Sequence, residues 1–67
     1  MTIYFNEEKM SVEVETTLFS VLEETKFSDK QGVAVAVNNN VVPRAEWQNF
    51  VLTEGANILV IQAAQGG

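Results

Sequence analysis

The chain ends in the sequence Asn57-Ile58-Leu59-Val60-Ile61-Gln62-Ala63-Ala64-Gln65-Gly66-Gly67, which changes in character along its length. It begins as a strongly apolar segment, continues through alanines and finishes in two glycines, with no charged side chain. Glycine has no Cβ, so Gly66 and Gly67 can lie in a narrow channel and adopt backbone angles that are closed to other residues. The pattern predicts a central strand followed by a flexible tail, at about residues 63–67, whose carboxylate is presented to another protein.

Size and composition indicate one domain over residues 1–67 that carries no chemistry of its own. Hydrophobic residues make up 46% of the chain, which is enough for a single core. The sequence has no cysteine and no histidine, so it can form neither a disulfide, a zinc–thiolate site nor the usual catalytic triads. We therefore expect a protein that is not an enzyme and that binds no metal or cofactor.

The charge balance excludes two classes of partner. Nine acidic residues outnumber four basic ones, for a formal charge of −5, whereas nucleic acids and anionic membrane surfaces attract clustered lysine and arginine. No apolar run approaches the roughly 20 residues of a membrane span. The N-terminal segment lacks the basic region that precedes the apolar part of a secretory signal. The sequence predicts a cytoplasmic protein.

The first half of the chain predicts a β-hairpin and one helix. Ile3 and Phe5 alternate with polar residues in a first strand, residues 6–9 form a turn, and residues 10–15 alternate in a second, half-buried strand. A threonine hydroxyl, from Thr16 or Thr17, can cap the helix that follows. Its apolar stripe recurs at intervals of three and four residues and consists of Leu18, Val21, Leu22 and Thr25.

The second half predicts strands on either side of a short helical turn. Val33–Val37 is apolar at every position, as expected for a strand covered on both faces or one whose open face meets a partner. The following segments are, in order, a turn at residues 38–40, a short edge strand Val41–Val42 stopped by Pro43, a helical turn at residues 44–49 anchored by Trp47, and a turn at residues 53–56 that leads into the last strand.

These elements predict an α+β fold with a mixed sheet and one helix on one face. The last strand is the most apolar and is expected at the centre, parallel to the first, because everything between them can serve as the crossover. The side chains expected to face the helix are Ile3, Phe5, Val12, Leu18, Leu22, Val35, Val37, Ile58 and Val60.

The opposite face of the sheet has no second helix to cover it. By the two-residue period, it carries Tyr4, Ala34, Ala36, Leu59, Ile61 and Ala63. An exposed apolar patch of this kind usually marks a binding site, and we assign the partner interface to Tyr4, Leu59, Ile61 and Ala63. The alternatives are that the loop residues around Trp47 and Phe50 fold over this face, or that its small alanines make the patch unremarkable.

The order of elements and the tail resemble the ubiquitin-like β-grasp fold, and more narrowly the ThiS family of sulfur carrier proteins of thiamin biosynthesis. The resemblance covers essentially the whole chain. Its most specific parts are Val33-Ala34-Val35-Ala36-Val37-Asn38, then Val41-Val42-Pro43-Arg44 with Trp47 three residues on, then the run from Gly55 to Gly67. Arg44 matches the motif, although its role does not follow from the sequence.

The resemblance implies a function for the tail. An adenylyltransferase of the ThiF type, using ATP and magnesium, activates the carboxylate of Gly67 while Gln65, Gly66 and Gly67 are threaded into its site. The acyl-adenylate becomes a thiocarboxylate with sulfur from a persulfide on a donor protein, and thiazole synthase of the ThiG type then receives that sulfur. The alternatives are a carrier of the molybdopterin synthase small-subunit type, a ubiquitin-like protein modifier, and an interaction domain with an inert tail.

Overall fold

A five-stranded mixed sheet, with one α-helix on one face, forms the framework of the described part of the chain, as the sequence predicts. The structure is a computed structural model that describes residues 1–62. In chain order its elements are β1 (Thr2–Phe5), β2 (Glu8–Ser11), α1 (Leu18–Glu24), β3 (Val33–Val37), β4 (Asn40–Val41), a 3-10 helix (Arg44–Asn49) and β5 (Asn57–Gln62). The predicted tail at about residues 63–67 lies outside the described residues.

The strand that precedes the tail occupies the centre of the sheet. The strand order is β2-β1-β5-β3-β4. Strand β5 runs parallel to β1 and antiparallel to β3. Both the central position and the parallel pairing with the first strand are therefore confirmed.

The β1–β2 turn is shorter than the sequence indicates. Phe5 pairs with Glu8, so the turn contains only Asn6 and Glu7, both with positive φ (48° and 72°). A two-residue turn of type I′ requires positive φ at both positions, and its twist matches that of the flanking strands. Strand β2 consequently begins at Glu8, two residues earlier than predicted, and ends at Ser11. The predicted continuation through residue 15 is wrong, since Val14 lies in a turn and 74% of its surface is exposed.

The β3–β4 connection uses the same kind of turn. Val37 pairs with Asn40, and the two turn residues, Asn38 and Asn39, have φ of 51° and 71°. The predicted edge strand Val41–Val42 is therefore displaced by one residue to Asn40–Val41.

Helix α1 is short and capped at both ends by threonine. The Thr17 hydroxyl accepts a hydrogen bond from the Ser20 N–H at 3.2 Å, which confirms the predicted cap and satisfies a free N–H of the first turn. At the other end the Thr25 hydroxyl donates to the Val21 carbonyl at 2.8 Å. No helix within residues 1–62 is long and apolar enough to cross a membrane.

The core lies between the sheet and the two helical segments. The 3-10 helix packs against α1, and Trp47 is buried there with its indole N–H donating to the Val42 carbonyl at 2.9 Å. Phe5 and Val12, predicted to face the helix, are only partly buried and pack against the edge of this core. Among the described residues, the buried core consists of Ile3, Leu18, Val21, Leu22, Val35, Val37, Val42, Trp47, Leu52, Ala56, Ile58 and Val60.

Arg44 has a structural role that the sequence does not reveal. Its guanidinium donates to the carbonyl of Ser28 at 2.8 Å and to that of Lys30 at 2.6 Å. The same group lies 4.5 Å from the centroid of the Trp47 ring. A planar fork of donors stacked on an aromatic face is a geometry that lysine cannot reproduce. Arg44 thus ties the loop that follows α1 to the 3-10 helix.

We expect Arg44→Lys to destabilise the protein although it conserves the charge. Loss of the two-point contact should lower the free energy of unfolding by about 1–2 kcal/mol. The loss is no larger because Arg44 is exposed, and solvent weakens the interactions of an exposed charge. In a domain of this size each kcal/mol corresponds to a fall in Tm of about 4–8 °C. Thermal denaturation followed by circular dichroism measures the change. Lys30→Ala is the control, because it removes a neighbouring cation but keeps the carbonyl that Arg44 binds; an equal loss in both variants would contradict the role given to Arg44.

Candidate functional site

The sheet face opposite α1 is open in the described part of the chain. Tyr4, Leu59 and Ile61 point to this face, and 38%, 46% and 56% of their surfaces are exposed. The alternative, that residues around Trp47 and Phe50 cover this face, is wrong. Trp47 is buried in the core beside α1, and Phe50 packs against that same core.

Strand register brings the exposed apolar side chains together. Ala36 lies opposite Leu59, and Ala34 lies opposite Ile61. Val41, in the edge strand β4, also lies opposite Ala36, and 74% of its surface is exposed. Because neighbouring strands are only about 4.8 Å apart, these residues form one surface, which we call the apolar patch: Tyr4, Ala34, Ala36, Val41, Leu59 and Ile61.

The apolar patch differs from the predicted face at two residues, Val41 and Ala63. Val41 was not assigned to this face from the sequence, because its parity depends on the two-residue turn at Asn38 and Asn39. That asparagine pair was the available signal, since asparagine tolerates positive φ. Ala63, predicted to belong to the interface, lies outside the described residues.

The open face carries no acidic side chain on its strands within residues 1–62. By strand alternation and register, the residues on this face are Thr2, Tyr4, Lys9, Ser11, Ala34, Ala36, Val41, Asn57, Leu59 and Ile61. Lys9, opposite Tyr4, is the charged residue among them. A partner could therefore cover the patch without dehydrating a carboxylate from these strands, and depletion of charge is typical of the buried centre of an interface.

Strand β5 connects the apolar patch to the tail. Its last two residues, Ile61 and Gln62, pair with Ala34 and Val33. The predicted tail residues Gln65, Gly66 and Gly67 lie beyond the described part. Five residues separate Gln62 from the end of the sequence, and a fully extended chain of five residues spans at most about 18 Å.

Two asparagines hold β5, one at its first residue and one in its middle. Asn6 donates its N–H to the Ile58 carbonyl at 2.8 Å, and its side-chain oxygen accepts from the Val60 N–H at 2.9 Å. Asn38 makes the equivalent pair of bonds to Asn57, with the side-chain oxygen 3.0 Å from the Asn57 nitrogen. The sequence predicts turns at both places but not these bonds, which depend on where the turns lie relative to β5.

Potential metal ligands do not cluster within residues 1–62: no three His, Cys, Asp or Glu side chains lie close enough together to hold an ion. The chemically distinctive feature of the described region is the uncharged apolar surface beside the strand that leads to Gly67.

The sequence of this chain is similar to those of the ThiS family. The ThiS family model matches residues 2–67. The sulfur carrier protein ThiS of Escherichia coli (strain K12) is 33% identical over 67 residues, which cover all of both chains.

Solved structures show the same fold. The crystal structure of the thiamine biosynthesis protein ThiS from Geobacter metallireducens superposes with a TM-score of 0.83 over all of both chains at 19% identity. The solution structure of a thiamine biosynthesis protein from the same organism superposes with a TM-score of 0.76, and the match covers all of this chain and 88% of that one. The match of the family model to nearly every residue, together with the ubiquitin-like β-grasp fold, shows that this chain belongs to the ThiS family.

Proposed function

We propose that this protein is a sulfur carrier of thiamin biosynthesis whose Gly67 carboxylate is adenylated and then converted to a thiocarboxylate. The observation that carries the proposal is the family match through residue 67, which includes the uncharged tail and its two glycines. The end-to-end match to a sulfur carrier protein supports the same function. The protein itself is then a substrate rather than an enzyme.

The chemistry explains why the tail must be activated. A carboxylate is a poor electrophile because its charge repels nucleophiles. When a Gly67 oxygen attacks the α-phosphorus of ATP, pyrophosphate leaves and a mixed anhydride forms. The terminal sulfur of a persulfide can then attack the acyl carbon with loss of AMP, and a thiol that cleaves the sulfur–sulfur bond releases the thiocarboxylate. The partner enzyme supplies the magnesium and the positive charge that the first step requires.

The apolar patch gives the proposed partners a place to dock. Tyr4, Leu59 and Ile61 present apolar surface beside the start of the tail. We propose that an adenylyltransferase of the ThiF type and a thiazole synthase of the ThiG type bind here and receive Gln65, Gly66 and Gly67 in their active sites. A protein that carries a cysteine persulfide is proposed to supply the sulfur.

Intact-mass spectrometry tests the proposal directly. After incubation with a ThiF-type adenylyltransferase, ATP, magnesium and a persulfide donor, we expect the mass to rise by the difference between one sulfur and one oxygen atom. Omission of ATP is the control and should leave the mass unchanged. Attachment to lysines of other proteins, seen as ladders on gels, would instead indicate a protein modifier. An unchanged mass in the complete reaction would indicate an inert interaction domain.

A further inference from the structure

The two asparagine contacts differ in where they hold β5. Peptide groups of a strand point alternately to its two neighbours. On the side of β5 that faces β1, the last hydrogen bond between main-chain groups joins the Asn6 N–H to the Ile58 carbonyl. The next peptide on that side, at Val60, is bound by the Asn6 side chain instead. Asn6 therefore extends the ladder by one position beyond the end of β1, towards the tail.

Asn38 acts at the start of the same strand. Its side-chain oxygen accepts from Asn57, the first residue of β5. Both asparagines occupy the first position of a two-residue turn, with φ of 48° for Asn6 and 51° for Asn38. The two asparagines hold β5 from opposite sides, Asn6 at Ile58 and Val60 and Asn38 at Asn57, so the Asn6 contacts lie nearer to Gly67 along the chain.

We infer that Asn6 is a positioning residue that fixes the direction in which β5 delivers the tail to the activating enzyme; this inference rests on the proposed function. Val60 is two residues before the end of β5, and beyond it Ile61 and Gln62 pair with β3. Without the Asn6 bond, this last part of the strand is held from the β3 side. Any freedom gained at Val60 then extends to Ile61 and Gln62, the last described residues before the tail.

We expect removal of the Asn6 side chain to lower the rate of adenylation and to leave docking on the partner unchanged. Reactions between bound groups depend steeply on position, and a misplacement of about 1 Å can cost about 100-fold. Asn6 is not part of the apolar patch, so the surface that binds the partner is unchanged when its side chain is removed. We therefore expect kcat for adenylation to fall, with KM for this protein unaltered.

The test compares two variants that remove equivalent bonds. Asn6→Gly and Asn38→Gly each delete a side-chain acceptor of β5, and glycine keeps the positive φ of each turn. The probe is ATP–pyrophosphate exchange by a ThiF-type adenylyltransferase, with the carrier protein as the varied substrate. We expect kcat to fall about fivefold to tenfold for Asn6→Gly and to stay unchanged for Asn38→Gly.

Two further measurements separate positioning from stability. Asn6→Asp keeps an acceptor oxygen of the same reach and should restore kcat. Amide hydrogen exchange should become faster at Val60 in Asn6→Gly and at Asn57 in Asn38→Gly, which confirms that each variant opens the intended part of β5. If Asn6→Gly does not fold, an ester in place of the amide between Leu59 and Val60, introduced by chemical synthesis, deletes the same hydrogen bond and should lower kcat in the same way.

Failure of the positioning role of Asn6 and failure of the proposed carrier function give different results. Equal kcat values for Asn6→Gly and Asn38→Gly, or an effect of Asn6→Gly on KM alone, would overturn the positioning role while leaving the carrier function intact. If the wild-type protein supports no exchange at all, the proposed function fails and the positioning role fails with it.

Discussion

Deletion of Gly67 should leave a folded protein that takes up no sulfur. The deletion moves the terminal carboxylate back by about 3.5 Å, one extended residue, when about 1 Å is enough to cost about 100-fold in a positioned reaction. We therefore expect a loss of more than about 100-fold in adenylation, measured by pyrophosphate exchange and by intact mass. Within residues 1–62 the core ends with Val60 of β5, so we expect the Tm to stay unchanged.

Ala64→Ser is the matched control for this deletion, because Ala64 is not among the residues proposed to enter the partner's active site. It alters the tail by one side chain but keeps its length, its lack of charge and its two glycines. We expect it to be adenylated at a rate close to that of the wild-type protein. Sulfur incorporation that persists after the deletion of Gly67 would place the reactive group elsewhere in the chain and would contradict the carrier function.

Strong periodicity explains why much of the fold could be predicted from the sequence. Strand β3 has the predicted bounds, Val33–Val37, because five consecutive apolar residues lie between a glycine and a run of asparagines. The end of β1 and the central position of β5 followed from the same kind of pattern. The open face followed from counting helices, since a single helix covers one side of a sheet.

Turn lengths and long-range contacts could not be predicted in the same way. Glu7 has φ of 72°. A glutamate does not indicate this left-handed conformation, which usually favours glycine or asparagine. The shorter turn changes the register of β2, and the similar turn after β3 places Val41 on the open face. The contacts of Arg44 with the carbonyls of Ser28 and Lys30 join segments that are 16 and 14 residues away, so no local pattern contains them.

We expect Ile61→Asp to abolish binding to the adenylyltransferase without unfolding the protein. Ile61 lies in the apolar patch opposite Ala34, with 56% of its surface exposed. An aspartate there can stay hydrated in the free protein, so the Tm should change little. In the complex the carboxylate would be buried against apolar surface without a partner charge, which costs several kcal/mol. Since each 1.4 kcal/mol is about tenfold, Kd should rise by about 100-fold or more.

Val14→Asp is the control that separates the patch from the overall charge. Both substitutions add one negative charge to a protein that already carries −5, and both replace an exposed branched aliphatic residue. Val14 lies in a turn outside the apolar patch, so its substitution should leave Kd almost unchanged when binding is measured by isothermal titration calorimetry. Normal binding by Ile61→Asp would exclude the patch as the docking surface. Equal losses in both variants would attribute the effect to long-range repulsion, and such repulsion would weaken as the salt concentration increases.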